Sequence, residues 1–233
     1  LDEGEKALEA VQRNNVLFSP FFQHRDRGIY VKQRDVFRSG MIEKPVHLRF
    51  ADVREVRPKT AMHSASLNGG VVIDMGCHLF DMIRYVTGEE PISVYASGGV
   101  YGRGKPRLQE VNDLAVDAAS IEVRMTGGHL LSMYLNWGMP EGFSYPFNGP
   151  VLIGANMAVF KEGDNVIVQY GNSRDVWQPE NPGNSRRVQQ FIDALEGKSE
   201  LDATGHDAYI ALKMSLAALE SIDFKFYLSV EAF

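Results

Sequence analysis

The sequence predicts an α+β protein: an open, mainly antiparallel β-sheet with helices packed on one face. Three observations lead there. Period-2 stretches dominate the chain from residue 91 onward, helical periodicity returns over the last 50 residues, and no regular strand–helix alternation runs between them.

Taken in order, Asp2 and Glu5 have the spacing of a capping box, and Ala7, Leu8 and Val11 repeat at helical period, so a helix is expected over 2–14. "VLFSPFF" (16–22) reads as a short strand interrupted by Pro20, and "GIYVKQRDVFRSG" (28–40) as a helix ended by Gly40. "PVHLRFADVREVR" (45–57) alternates as a strand, and a polar loop follows. Residues 74–87 have helical period. "ISVYASGGVYG", "LAVDAASIEVRM" and "HLLSMYLNWG" are then expected as strands, with "MTGG" (125–128) as a hairpin turn. "PVLIGA", "NMAVFKEG" and "NVIVQYG" add shorter strands. Helices over 184–197 and 204–222 close the chain. The glycine-rich "GGVYGRG" (98–104) lies between expected strands and reads as a hairpin loop.

A chain of 233 residues can bury a substantial core. Its formal net charge of -6 and scattered basic residues argue against nucleic acid as a partner, because phosphate binding needs clustered Lys and Arg. No apolar run is long enough for a membrane span. A single cysteine, Cys77, excludes an internal disulfide and fits a cytoplasmic location. The start "LDEGEKALEAVQRNN" is charged and amphipathic and lacks an initiator Met, which suggests a chain cut from something longer.

Chemistry concentrates in "GGVVIDMGCHLFDMIRYVTG" (69–88). On a helical wheel at roughly 100° per residue, Leu79, Met82, Ile83 and Val86 form one face. Asp74, His78, Asp81 and Tyr85 fall in a polar column beside it. Asp74 suits an N-cap, and His78 then lies in the first turns, where the helix dipole favours a neutral imidazole. A neutral imidazole can take a hydroxyl proton, while a nearby carboxylate would orient it or favour its charged form. From the residues alone, acid/base catalysis, a purely structural pair and a metal site all stay open. The absence of a second His or Cys on that face weighs against a metal.

The stretch "NGGVVIDMGCHLFDMIRYVTGEEP" resembles the signature of the Gfo/Idh/MocA oxidoreductases, G-G-G-x-x-x-D-x-G-x-H-x-x-D-x-x-x-x-x-x-G. Gly69, Gly70, Asp74, Gly76, His78, Asp81 and Gly88 match it, and Asn68 replaces its first glycine. "FRSGMIEKPVHLRF", "VDAASIEVRMTGGHLLSMYLNW", "VLIGANMAVF" and "VQQFIDALEGKSELDATGHDAYIALKMSLAALES" resemble further family segments in order. Only the ending, "IDFKFYLSVEAF", departs from the usual short tail.

The resemblance implies a C-terminal substrate-binding and oligomerisation domain over 1–233, like the C-terminal domain of glyceraldehyde-3-phosphate dehydrogenase. The N-terminal Rossmann domain that binds NAD or NADP would lie outside this chain, and no G-x-G-x-x-G follows a strand near the start. The implied parent is a dehydrogenase of a sugar, polyol or related hydroxyl compound. His78 would be its acid/base and Asp74 its helper, with Asp81, His24 and Arg25 as substrate contacts. The family's catalytic Lys, in "E-K-P", would precede Leu1. Lys44, in the "EKP" at 43–45, sits instead in the link into the sheet and reads as a surface lysine. His63, Asn68 and His206 are weaker site candidates, His47 and His129 read as strand-face residues, and Trp137 as sheet packing or interface. Partners implied are a carbohydrate-like small molecule and further copies of the chain, joined through the sheet face. No metal is expected, and the chain alone is expected neither to bind a dinucleotide nor to turn over. The alternatives are an NAD-dependent redox-neutral glycosidase or lyase, and a non-catalytic association or ligand-sensing module.

Overall fold

A computed structural model describes residues 1–179 and 185–224 of the chain. In order it has α1 (Asp2–Arg13), α2 (Gly28–Arg38), β1 (His47–Glu55), α3 (Gly70–Asp74), α4 (Gly76–Thr87), β2 (Pro91–Gly99), β3 (Ala118–Met125) and β4 (Leu130–Met139). Then follow β5 (Gly149–Ile153), β6 (Ala158–Glu162), β7 (Asn165–Tyr170), β8 (Ser173–Trp177), α5 (Ser185–Leu195) and α6 (Gly205–Phe224). The strands form one sheet in the order β2-β3-β4-β1-β5-β6-β7-β8. Each neighbouring pair runs antiparallel except β1 with β4. The expected α+β class and open, mainly antiparallel sheet are therefore present.

Alternation in β3 sets the two faces. Ala119, Ile121, Val123 and Met125 are buried, and Ser120, Glu122 and Arg124 between them are exposed. Opposite them, β4 turns Leu131, Met133 and Leu135 inward. Against this inner face pack Ile29, Val36 and Phe37 of α2, and Leu79, Phe80, Met82, Ile83 and Val86 of α4. Ala211, Met214, Ala218 and Ile222 of α6 complete the same core. The other face presents Arg49, Glu122, Ser132 and Tyr134. There the His47 ring bonds the Ser132 hydroxyl, which donates to Glu122 at 2.6 Å.

The structure corrects several local expectations. Residues 16–22 form no strand: Phe22 N–H donates back to Pro20 O at 3.0 Å, and the chain tightens into a 3-10 turn at Gln23–Asp26. α1 starts at Asp2 with no side-chain cap, so the Asp2–Glu5 box does not form. The link between β2 and β3 runs from 100 to 117 and contains a 3-10 turn at Pro106–Leu108, far longer than a hairpin loop. β8 was not expected at all, because its exposed, polar "SRDVW" has no buried alternation. The start expected for the penultimate helix, residue 184, lies outside the described residues.

Candidate active site

The signature opens on two glycines with left-handed backbone, Gly69 at φ 76° and Gly70 at φ 78°. A Cβ on Gly70 would sit 2.4 Å from Val116 O, so only glycine permits this approach. Residues 70–74 then coil as α3 despite their β-branched side chains, because that conformation buries both Val71 and Val72. Consequently Asp74 ends α3 and does not cap α4, whose preceding residue is Met75. Met75 N–H already bonds Val71 O at 3.0 Å, and α4 shows no side-chain cap. The Asp74 carboxylate instead accepts from Asn68 Nδ2 at 2.9 Å. The residue that replaces the family's first glycine thus anchors the carboxylate.

The 3-10 turn brings His24 against α4. The His24 and His78 rings stack at 4.8 Å and 27°, and His24 stacks on Tyr30 at 5.9 Å and 15°. Phe22 meets His78 edge-on at 5.8 Å. His24 and Tyr30 are 2% and 1% exposed. Within this column His78 Nδ1, His24 Nδ1 and Tyr30 Oη are buried with no hydrogen-bond partner among the described residues. Such groups are uncommon in native folds and mark places that await a ligand or strain. Burial holds both imidazoles neutral. His24 falls to about 2, through burial first and then the charges of Arg27, His78 and Arg54. His78 is also lowered, by burial and Arg27 against the upward pull of Asp74. Burial raises the Tyr30 hydroxyl.

Arg25 and Asp81 were expected to contact substrate, but they spend their charges on each other. Arg25 Nε donates to Asp81 Oδ2 at 2.8 Å and Nη2 to Oδ1 at 2.5 Å, with the Asp81 side chain wholly buried. Burial opposes charge on Arg25, but the bonds and charge of Asp81 outweigh it and raise its pKa. Arg25 also bonds Asp202 O and lies 3.4 Å from Asp207. One residue on, Asp26 receives Arg187 Nε at 2.5 Å and Nη2 at 2.7 Å. The turn carrying His24 is therefore bolted to α4, α5 and the start of α6.

The remaining candidates lie elsewhere. His63 is buried and accepts Arg57 N–H at 3.0 Å, His206 is exposed in a groove beside β2, and His129 accepts Val46 N–H at 3.0 Å. Trp137 is buried and donates to Asp52 at 2.7 Å, so it is no interface residue. Lys44 is exposed, its Nζ 3.9 Å from the Phe37 ring centre. Burial pushes the Cys77 thiol up to about 12, which leaves it unreactive. Among the described residues no group of three or more His, Cys, Asp or Glu is placed to hold a metal ion. The sequence reading missed Tyr30, Arg27, Asp52 and Arg54. A signal existed for the last two: they continue the inward phase of Leu48 and Phe50 along β1, where a buried Asp needs a reason.

Residues 30–151 match the family model of the GFO/IDH/MocA C-terminal domain. The chain belongs to that family. Among its relatives, the uncharacterized oxidoreductase YrbE of Bacillus subtilis is 24% identical across 99% of this chain. Myo-inositol 2-dehydrogenase of Thermotoga maritima is 31% identical across 56% of it. The chain spans 68% of the first protein's length and 37% of the second's. Of solved structures, the aldose-aldose oxidoreductase from Caulobacter crescentus complexed with glycerol superposes with a TM-score of 0.79. It is 19% identical, with 96% of this chain and 67% of that one covered. An oxidoreductase from Agrobacterium radiobacter in complex with NAD+, L-tartaric acid and magnesium gives 0.77 at 16% identity, covering 99% and 70%. These likenesses are of fold.

Proposed function

We propose that this GFO/IDH/MocA-family chain is the substrate-binding C-terminal domain of an NAD(P)-dependent oxidoreductase acting on a hydroxyl carbon of a sugar, polyol or related compound. The observation that carries the reading is the stacked His78–His24–Tyr30 column, whose buried polar atoms have no partner among the described residues. Relatives named as inositol and aldose oxidoreductases support the same substrate class.

His78 is the acid/base. Kept neutral by burial, its imidazole takes the substrate's hydroxyl proton as the C–H bond of that carbon breaks, and returns it in the reverse direction. Asp74, fixed by Asn68, stabilises the imidazolium that forms. His24 stays neutral, packs against the His78 ring and keeps one buried nitrogen without a partner among the described residues. Arg25 and Asp81 act on substrate only indirectly, by seating the His24 turn. The nicotinamide, when bound by an adjoining domain, supplies the hydride acceptor, and no residue of this chain is assigned to hold it. The sheet face bearing Arg49, Glu122 and Tyr134 is the proposed contact between copies of the chain.

The test is His78→Gln in the full-length protein. Turnover with polyol substrates should fall by roughly 10²–10⁴-fold with the thermal midpoint little changed. Undiminished turnover would remove His78 from the chemistry.

A further inference from the structure

Beside the ring column a cleft of about 500 Å³ opens between the start of α2 and the inner side of β1. α2 begins with no side-chain cap, and Arg27, Gly28 and Ile29 at its start line the cleft. The positive end of a helix dipole therefore faces the space. Tyr30 lines it too, its hydroxyl buried and without a partner among the described residues. Of the cations on the walls, Arg54 is held by Asp52 at 2.6 Å. The exposed Arg27 guanidinium has no hydrogen bond or ion pair among the described residues, and the same holds for Lys161. Among the described residues of the lining, Asp52 and Asp164 stand against Arg27, Arg54 and Lys161, one net positive charge.

An uncapped helix start, a free guanidinium and an unsatisfied phenol converge on acceptor oxygens, and a single surplus charge matches a monoanion better than a phosphate dianion. We infer that the substrate is a polyhydroxy acid whose carboxylate seats between Arg27, the start of α2 and the Tyr30 hydroxyl. This deepens the oxidoreductase reading and rests on it. His24 alone separates Tyr30 from His78 in the stack, so the carboxylate seat belongs to the same column of rings as the acid/base.

The test is equilibrium binding to the full-length protein of D-gluconate, D-glucitol and D-glucitol 6-phosphate, which share a carbon chain and differ at its end. Gluconate should bind roughly tenfold tighter than glucitol, an advantage that Arg27→Gln removes and added salt weakens. Tyr30→Phe, which deletes only the hydroxyl, should weaken gluconate severalfold and by more than it weakens glucitol. Equal affinity for gluconate and glucitol, no detectable gluconate binding, or a gluconate advantage that survives Arg27→Gln each overturns the inference. A phosphate that outbinds gluconate through Arg27 overturns the carboxylate in favour of a dianion. Arg27-independent binding with His78-dependent turnover sinks the acid and spares the oxidoreductase. Arg27-dependent binding without His78-dependent turnover does the reverse.

Discussion

The 3-10 turn Gln23–Asp26 touches α4 at two neighbouring points, and the contacts are opposites. At Arg25–Asp81 both partners are charged, buried and doubly hydrogen-bonded. At His24–His78 both partners are neutral and stacked, and each keeps a buried nitrogen without a partner among the described residues. An unsatisfied buried polar atom costs about 1–3 kcal/mol, whereas a buried ion pair fixes one geometry more than it adds net stability. The ion pair supplies the geometry in which the unsatisfied rings persist. Stability and chemistry thus occupy adjacent residues on the same two elements.

Breaking the satisfied contact should have the largest effect. Asp81→Asn keeps the side chain's shape but removes the charged partner of the buried Arg25, leaving it the Asp202 carbonyl and the charges of Asp207 and Asp202, and should cost about 3 kcal/mol in urea denaturation. Turnover should fall with it, because the His24 turn loses its seat. A variant as stable as the parent would show that the pair is no anchor.

The unsatisfied contact can be weighed by pH. His24 titrates near 6.5 when unfolded and near 2 when folded, so only the unfolded state takes the proton between those values. The stabilisation is complete above the unfolded value and is lost as pH falls toward the folded one. It should shrink by about 1.4 kcal/mol per pH unit below about pH 6.5. His24→Gln should flatten that part of the slope in urea midpoints measured from about pH 7 to about pH 5. An unaltered slope would mean that the folded ring already takes protons from solvent.

Lys44 gives the smallest effect and the control. Lys44→Ala removes a cation–π contact with Phe37, a loss of about 0.5–1 kcal/mol, and should leave turnover untouched. A large drop in rate would restore the "EKP" at 43–45 to the active site.

Much of the fold was legible because it is local. The β3–β4 hairpin follows from alternation on either side of a glycine turn, with Gly128 at φ 79°, and α4 and α6 follow from helical period. β8 was not legible, since an exposed edge strand carries no buried face to pattern. α3 was not legible either, since its two valines favour strands and coil here to reach the core. In the site, His78 and Asp74 stood out by spacing, while Tyr30 and Arg27 looked like ordinary residues at the start of a helix.

By itself, then, the sequence determined the sheet class, the helix carrying His78 and the buried stripe of that helix. These depend on periods of two and 3.6 residues, which a linear chain displays. Only the tertiary structure decided that Asp81 belongs to Arg25, 56 positions away, that His24 stacks on His78, and that α2 starts at an open cleft. A side chain's partner is set by which elements pack together, and periodicity says which way a residue faces but not what waits there.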